Sequence, residues 1–254
     1  MTVLRRFALA ALAAPLALTL VGCGSKDNGT APGAPPTGSA IAAVPAPAGK
    51  MWSDVVTSTP EGGMLMGNPN APLKLVEYGS LSCPHCAKLA NDGMKTLEGQ
   101  YVNSGRVSYE FRSYIIHGSI DVVLTMLARC GDPSTFFPMI EQLYATQDQW
   151  VARAEQGGNA AQAASSLPPA QRFPALADAY GLTDWFAARG ISKDQAHACL
   201  ANPDQAEAIA KRTQDWYQNQ GIDETPTLYL NGNKLANVAE WDQLQPALQN
   251  AGAR

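Results

Sequence analysis

The interpretation of this chain starts from the stretch Leu73-Lys74-Leu75-Val76-Glu77-Tyr78-Gly79-Ser80-Leu81-Ser82-Cys83-Pro84-His85-Cys86. Its apolar first part predicts a β-strand, and residues 87–100 predict a helix, so Cys83 falls at a helix N-terminus. Pro84 suits the first helical turn, where no backbone N–H is needed. Two cysteines at this spacing can close a small disulfide or stay open as a dithiol.

The helix N-terminus makes the two cysteines unequal. Unpaired backbone N–H groups and the positive end of the helix dipole face Cys83. A thiol in this position ionises easily, and the thiolate is the reactive species. Cys86 lies one turn further into the helix and is expected to be shielded. We therefore predict that Cys83 attacks and that Cys86 resolves.

Two other interpretations of this motif are a structural disulfide and half of a zinc site. A zinc site with four ligands needs a second pair, and only the scattered Cys130, His197 and Cys199 are available. A strand directly before the motif and a helix directly after it favour redox chemistry. We interpret His117 and His197 as packing or surface residues and expect no metal and no cofactor.

Length, charge and cysteine count limit the possible classes of protein. The 254 residues suffice for one domain of ordinary size with additional segments. The net charge of −4, without a basic stripe, gives nucleic-acid binding no electrostatic support.

The N-terminal residues predict export from the cytoplasm. Residues 1–22 contain Arg5-Arg6 followed by an apolar run, which is typical of a signal peptide. They end in Leu20-Val21-Gly22-Cys23, which resembles the lipobox of bacterial lipoproteins and implies lipidation of Cys23. An ordinary cleaved signal and an uncleaved anchor are the alternatives. Residues 23–50 are rich in Gly, Ala, Pro, Ser and Thr and predict a disordered linker to a membrane.

Beyond the linker, strand signals flank a long helical block. The predicted strands are residues 64–66, 73–78, 107–114, 227–230 and 234–236, with an Asn231-Gly232 turn between the last two. The predicted helices are residues 120–130, 136–146, 173–180, 183–189, 193–200, 203–220 and 241–250. We interpret residues 154–166, which are small, polar and weakly patterned, as a loop.

This order of elements resembles an α/β thioredoxin fold with an inserted helical domain. Thr225-Pro226 precedes the returning strand, where this fold keeps a cis-proline. Pro-His between the cysteines, Glu77 upstream and the large insertion resemble the DsbA family of bacterial thiol oxidases. The resemblance implies a first thioredoxin part at residues 51–117, a helical insertion at 118–219 and a second thioredoxin part at 220–254.

The resemblance also implies roles for individual residues. Glu77 would lie beneath Cys86 and carry protons, unless it is an outward-facing edge residue. His85 would place a donor or a positive charge beside Cys83, the alternative being a solvent-exposed spacer.

Two further expectations follow from the same resemblance. An extended substrate segment would pair with the backbone of Thr225 beside Pro226, unless that proline is a plain trans turn residue. Cys130 and Cys199 would form a second disulfide within the insertion, the alternative being two buried free thiols.

The expected function is a membrane-anchored periplasmic thiol:disulfide oxidoreductase that introduces disulfides into exported proteins through Cys83 and Cys86. The family implies re-oxidation by a quinone-linked membrane protein of the DsbB type. One alternative is a disulfide isomerase or thiol reductase of the same fold, although residues 24–50 are too sparse for a dimerisation domain. Another is a non-enzymatic lipoprotein that binds metal through its thiols.

Overall fold

A computed structural model describes residues 37–254 of the chain. The predicted signal peptide, Cys23 and the first part of the predicted linker lie outside the described residues. Across residues 37–254, none of the helices has the length and apolar character needed to cross a membrane.

A six-stranded sheet forms the centre of the molecule, in the order β1-β2-β4-β3-β5-β6. The strands are β1 (Val56–Ser58), β2 (Met64–Gly67), β3 (Leu73–Gly79), β4 (Val107–Ser113), β5 (Thr227–Leu230) and β6 (Asn233–Lys234). Strand β3 pairs in parallel with β4 and antiparallel with β5, so it is a central strand. Residues of β3, Glu77 among them, are therefore not on an edge strand.

One face of the sheet is deeply buried along β3 and β4. Tyr109 and Phe111 are almost fully buried, as is Leu75 on β3. They share one continuous core with Phe136 and Phe137 from the helical block. Strand β4 alternates accordingly: Val107, Tyr109 and Phe111 enter this core, whereas Ser108, Glu110 and Arg112 lie on the opposite face, where Arg112 pairs with Glu110.

Helix α1 (Pro84–Thr96) begins at Cys83, which is its N-cap in an extended conformation, with Pro84 in the first turn. It continues into a π-helical turn, Leu97–Val102. The C-terminal helix α10 (Trp241–Asn250) packs against α1 so closely that a side chain at Gly93 would collide with the Trp241 ring.

Eight helices lie between β4 and β5. They are α2 (Ser119–Ala128), α3 (Phe136–Ala145), α4 (Gln147–Gln156), α5 (Gly158–Ala164), α6 (Pro169–Ala179), α7 (Leu182–Ala187), α8 (Lys193–Leu200) and α9 (Pro203–Gln220). The predicted loop at residues 154–166 is wrong, because α4 extends to Gln156 and α5 follows. Alanine is the best helix former, and Ala161 and Ala164 are buried against the neighbouring helices.

A disulfide joins the end of α2 to α8. Cys130 and Cys199 are 69 residues apart in sequence, and their Cα atoms lie 5.8 Å apart. The bond therefore closes most of the helical insertion into one loop.

Residues 38–44, within the predicted disordered linker, already form hydrogen bonds with the domain. The N–H of Gly38 donates to the carbonyl of Asn250 (2.8 Å), and that of Val44 to Ser104 (2.9 Å). The prediction of a disordered linker over residues 23–50 is therefore wrong for its last part. The composition of this segment excludes a core of its own, but backbone groups can bind a neighbouring surface without large side chains.

Candidate active site

The two cysteines of the motif are adjacent free thiols at the start of α1. Cys83 is 4% exposed and Cys86 is fully buried. The Cys83 thiol donates to the carbonyl oxygen of Thr225 (3.4 Å), at the start of the segment that leads into β5. The residues predicted for catalysis and for substrate binding thus meet at one point.

Hydrogen bonds stabilise the thiolate form of Cys83. A hydrogen bond from the Cys86 thiol lowers the pKa of Cys83 from 9.0 to about 5, against the opposing effect of burial. The side chain of Thr225 and the backbone N–H groups of Cys86 and His85 contribute in the same direction. These N–H groups belong to the first turn of α1, as expected for an N-terminal thiol.

Cys86 has the opposite character. Burial raises the pKa of its thiol well above 9.0, and the hydrogen bond to Cys83 and the negative charge of Glu77 act in the same direction. The two pKa shifts make Cys86 a protonated donor and Cys83 a thiolate near neutral pH, the difference that the predicted division of roles requires.

Glu77 lies on the central strand β3 and is 4% exposed. Its Oε2 accepts a hydrogen bond from the Tyr109 hydroxyl (2.7 Å). Burial raises the pKa of Glu77 to about 7, although the Tyr109 bond acts to lower it and the charge of Cys83 raises it further. A carboxyl with this pKa can take up or release a proton near neutral pH.

A groove of about 270 Å³ is lined by His85, Thr225 and Pro226, among others. The Thr225–Pro226 peptide bond is cis. His85 is exposed in the first turn of α1 and borders this groove.

Side chains of the insertion hold the turn that leads into α1, residues 80–83, which we call the active-site turn. The Tyr144 hydroxyl donates to the carbonyl of Ser80 (3.0 Å). The Gln147 amide donates to the carbonyls of Leu81 and Cys83 (both 3.3 Å). Tyr144 lies in the helix predicted over residues 136–146, and the sequence gives no signal that it or Gln147 contacts the active-site turn. No local spacing relates residues more than sixty positions apart.

The two remaining histidines have partners that the sequence did not reveal. His197 pairs with Asp178 on the insertion surface (2.9 Å), whereas His117 Nδ1 lies 2.6 Å from Ser82 Oγ in the active-site turn. Among residues 37–254, no three His, Cys, Asp or Glu side chains are arranged to hold a metal ion.

Fold and site together define a dithiol protein of the thioredoxin fold with a helical insertion before β5. Residues 59–250, more than half of the chain, match the model of a family described as Thioredoxin. "Disulfide bond formation protein D" of Bacillus subtilis is 22% identical over 206 residues, covering 78% of this chain and 81% of the relative. A "Putative protein-disulfide oxidoreductase" of Rickettsia bellii is 24% identical and covers 70% of this chain. The chain spans 61% of the length of that relative, less than two thirds.

Solved structures agree on the architecture. A protein-disulfide isomerase from Novosphingobium aromaticivorans superposes with a TM-score of 0.67 at 28% identity, covering 73% of this chain and 94% of that one. Wolbachia pipientis alpha-DsbA1 superposes with a TM-score of 0.59 at 18% identity, covering 75% and 90%, and supports the fold alone. The chain belongs to the thioredoxin family, and it is similar to proteins named as disulfide bond formation proteins and protein-disulfide oxidoreductases.

Proposed function

We propose that this protein is a dithiol oxidase that introduces disulfides into exported proteins through Cys83 and Cys86. The observation that carries the proposal is the place of Cys83 as the N-cap of α1, next to the buried Cys86. Hydrogen bonds from Cys86 and from the first turn lower the pKa of Cys83 to about 5, whereas burial raises that of Cys86. A stabilised Cys83 thiolate favours the reduced pair, so the disulfide form is the stronger oxidant. Attacking thiols in this fold range from a pKa of about 7 in thioredoxin to about 3.5 in DsbA, and Cys83 lies between them.

The proposed reaction moves two electrons from the substrate to the cysteine pair. A substrate thiolate attacks Cys83 Sγ, the bond to Cys86 breaks, and Glu77 in its protonated form supplies a proton to Cys86. A second substrate thiolate then attacks the substrate sulfur of the mixed disulfide and releases Cys83 as a thiolate. The low pKa of Cys83 makes it a good leaving group in this second step.

Further residues are proposed to select and orient the substrate. An extended substrate segment would pair with the backbone at Thr225, whose carbonyl lies 3.4 Å from Cys83 Sγ. His85 borders the same groove and would raise the reduction potential by adding a donor or a positive charge near the thiolate.

The location and the partners complete the proposal. The signal-like residues 1–22 and the lipobox-like Cys23 support a periplasmic enzyme tethered to a membrane. Its substrates would be exported proteins with cysteine thiols, and a quinone-linked membrane protein of the DsbB type would re-oxidise the pair. The linker before the domain supports action near the membrane surface.

Equilibration with glutathione tests the direction of electron flow. We expect the Cys83–Cys86 disulfide to be reduced at glutathione ratios that leave thioredoxin oxidised, and the oxidised protein to convert a reduced two-cysteine peptide to its disulfide. A pair that stays oxidised against thioredoxin would mean a reductase and would contradict the proposal.

A disulfide isomerase is the second candidate, because the structural neighbour with 28% identity is named a protein-disulfide isomerase. Refolding of a substrate with scrambled disulfides separates the two functions. An isomerase in its reduced, dithiol form restores the native disulfides of a scrambled substrate. An oxidase in its disulfide form acts mainly on a reduced substrate.

A further inference from the structure

A chain of side chains runs from the protein surface to a buried carboxylate next to the active-site turn. His117 Nδ1 lies 2.6 Å from Ser82 Oγ, which lies 3.2 Å from Ser80 Oγ, which lies 2.9 Å from Asp121 Oδ1. Asp121 is 1% exposed and also accepts from the backbone N–H groups of Ser82, Ile116 and His117. Its carboxylate thus receives four hydrogen bonds, two at each oxygen.

The number of available protons limits which atom can donate at each step of this chain of hydrogen bonds. Because all of the partners of Asp121 are donors, the Ser80 hydroxyl proton points to its carboxylate. Ser80 Oγ accepts from the backbone N–H of Ser82 (3.2 Å) and, when Ser82 directs its hydroxyl proton toward Ser80, from Ser82 Oγ as well (3.2 Å). With the hydroxyl proton of Ser82 directed toward Ser80, the imidazole supplies the proton of the contact between Ser82 and His117 from Nδ1.

The hydrogen bonds of these side chains hold Ser82, the residue that precedes Cys83, in place. Ser82 is adjacent to Cys83, and the N–H of Cys83 donates to the carbonyl of Ser80 (3.2 Å). In the disulfide form, the covalent bond to Cys86 also holds Cys83 in place. In the dithiol form, only non-covalent contacts keep the thiolate in line with the N–H groups of α1. Positioning by this chain therefore matters more to the reduced state.

We propose that His117 is a positioning residue of the redox centre, which donates its Nδ1–H into the chain Ser82–Ser80–Asp121 and so favours the reduced, thiolate form of Cys83. The inference rests on the proposed exchange chemistry at Cys83. It adds a group outside the Cys-Pro-His-Cys motif that changes the redox equilibrium without touching the substrate.

The first test determines the tautomer of His117 by long-range ¹H–¹⁵N NMR of the exported, reduced protein. At about pH 9, where imidazoles are neutral, we expect the Nδ1–H tautomer for His117. His197 provides the reference signal within the same spectrum. An Nε2–H tautomer, with Nδ1 as an acceptor, would overturn the proposal.

The second test compares His117→Ala with His117→Asn, which keeps an N–H donor near the position of Nδ1. We expect His117→Ala to shift the glutathione equilibrium toward the oxidised pair by about fivefold, the factor of one hydrogen bond. The Cys83 pKa, followed by thiolate absorbance, should rise in parallel. His117→Asn should restore most of both values, and His197→Ala should change neither.

The ratio of the glutathione equilibrium constants of His117→Ala and wild type distinguishes this inference from the proposed function. A wild-type protein that proves to be a reductase would remove the oxidase assignment and leave the expected ratio intact. Equal glutathione equilibrium constants for His117→Ala and wild type would overturn the positioning role alone. Equal shifts of that constant in the alanine and asparagine variants would do the same.

Discussion

The two cysteine pairs of this protein contain the same chemical groups in opposite surroundings. Cys83 receives hydrogen bonds from the Cys86 thiol and from N–H groups of α1. At the second pair, Cys130 Sγ lies 3.4 Å from the carbonyl oxygen of Gln195, and Cys199 Sγ lies 3.7 Å from that of Cys130. Cys83 also lies 3.4 Å from a carbonyl oxygen, that of Thr225, so the donors at Cys83 are what separates the two pairs. They stabilise a thiolate and suit the first pair to exchange.

The difference also concerns the chain between the sulfurs. Cys83 and Cys86 belong to one helical turn, so opening their bond leaves the fold unchanged. Cys130 and Cys199 connect two helices across 69 residues, so opening their bond frees a long loop in the unfolded chain. Position in the fold, more than the identity of the side chain, separates a catalytic pair from a structural one.

The largest expected effect comes from removing the sulfurs of the first pair. Cys83→Ser should abolish oxidation of a reduced peptide, because the disulfide that the substrate thiolate attacks can no longer form. Cys86→Ala should trap substrates as mixed disulfides on Cys83, since no resolving thiol is left. Non-reducing gels of cell extracts, followed by mass spectrometry of the adducts, check both results.

The matched control is Cys130→Ala/Cys199→Ala, which should keep peptide oxidation and form no adducts. Adducts on Cys130 or Cys199 in the Cys86→Ala protein would contradict the division of roles between the pairs.

The same double variant should be less stable by up to about 4 kcal/mol, the chain-entropy value for a loop of this length. Denaturant unfolding of oxidised wild type and of Cys130→Ala/Cys199→Ala measures this difference. Mild reductant should open Cys83–Cys86 first and leave the second bond closed in peptide maps. An unchanged unfolding midpoint would show that the second bond is not a major stabilising element.

The active pair could be predicted from sequence because its determinants are local. The strand, the turn, the two cysteines and the helix are consecutive, and Pro84 and the N-cap position follow from helix chemistry alone. The hairpin turn at Asn231-Gly232 was equally accessible, because both residues adopt positive φ there. Within this hairpin, the partner strand predicted at residues 234–236 is misplaced, because β6 is confined to Asn233–Lys234.

Contacts across the fold could not be predicted in this way. Gln147 and Asp121 reach the active-site turn from helices of the insertion, and no period or spacing relates them to Cys83. Helix α5 was missed for a different reason, since an alanine-rich segment lacks the apolar period that marks an amphipathic helix.

Glu77 gives a further way to test the environment of the first pair. Glu77→Gln keeps the shape of the side chain but removes its ability to exchange a proton with Cys86. We expect turnover of reduced peptide to fall by about a hundredfold near neutral pH, at the low end of general acid–base effects. Stopped-flow measurement of mixed-disulfide resolution checks this, with Glu110→Gln on the neighbouring strand as the control variant. Unchanged resolution would exclude Glu77 from proton transfer.

Glu77 also predicts how stability depends on pH. Its pKa is raised from 4.5 to about 7 on folding, so the folded protein holds this proton more tightly than the unfolded chain. The folded state should therefore lose up to about 3 kcal/mol as pH rises from below 4.5 to above 7. Glu77→Gln should show a smaller loss than wild type over this range, measured by denaturant unfolding at each pH. Equal losses in both proteins would contradict the raised pKa.

The smallest effect, and the most direct comparison of the two pairs, is the pH dependence of their reduction potentials. Between about pH 5 and 9 the reduced first pair carries a Cys83 thiolate and a Cys86 thiol, so reduction takes up two electrons and one proton. Its potential should fall by about 30 mV per pH unit there, and by about 59 mV per unit below pH 5, where both sulfurs are protonated. The second pair, beside carbonyl oxygens, should take up two protons and show the steeper slope at neutral pH. Glutathione equilibria of wild type for the first pair, and of Cys83→Ser/Cys86→Ser for the second, measure both slopes. A slope of about 59 mV for the first pair at pH 7 would mean that Cys83 is a neutral thiol, and the contrast between the two environments would no longer explain their roles.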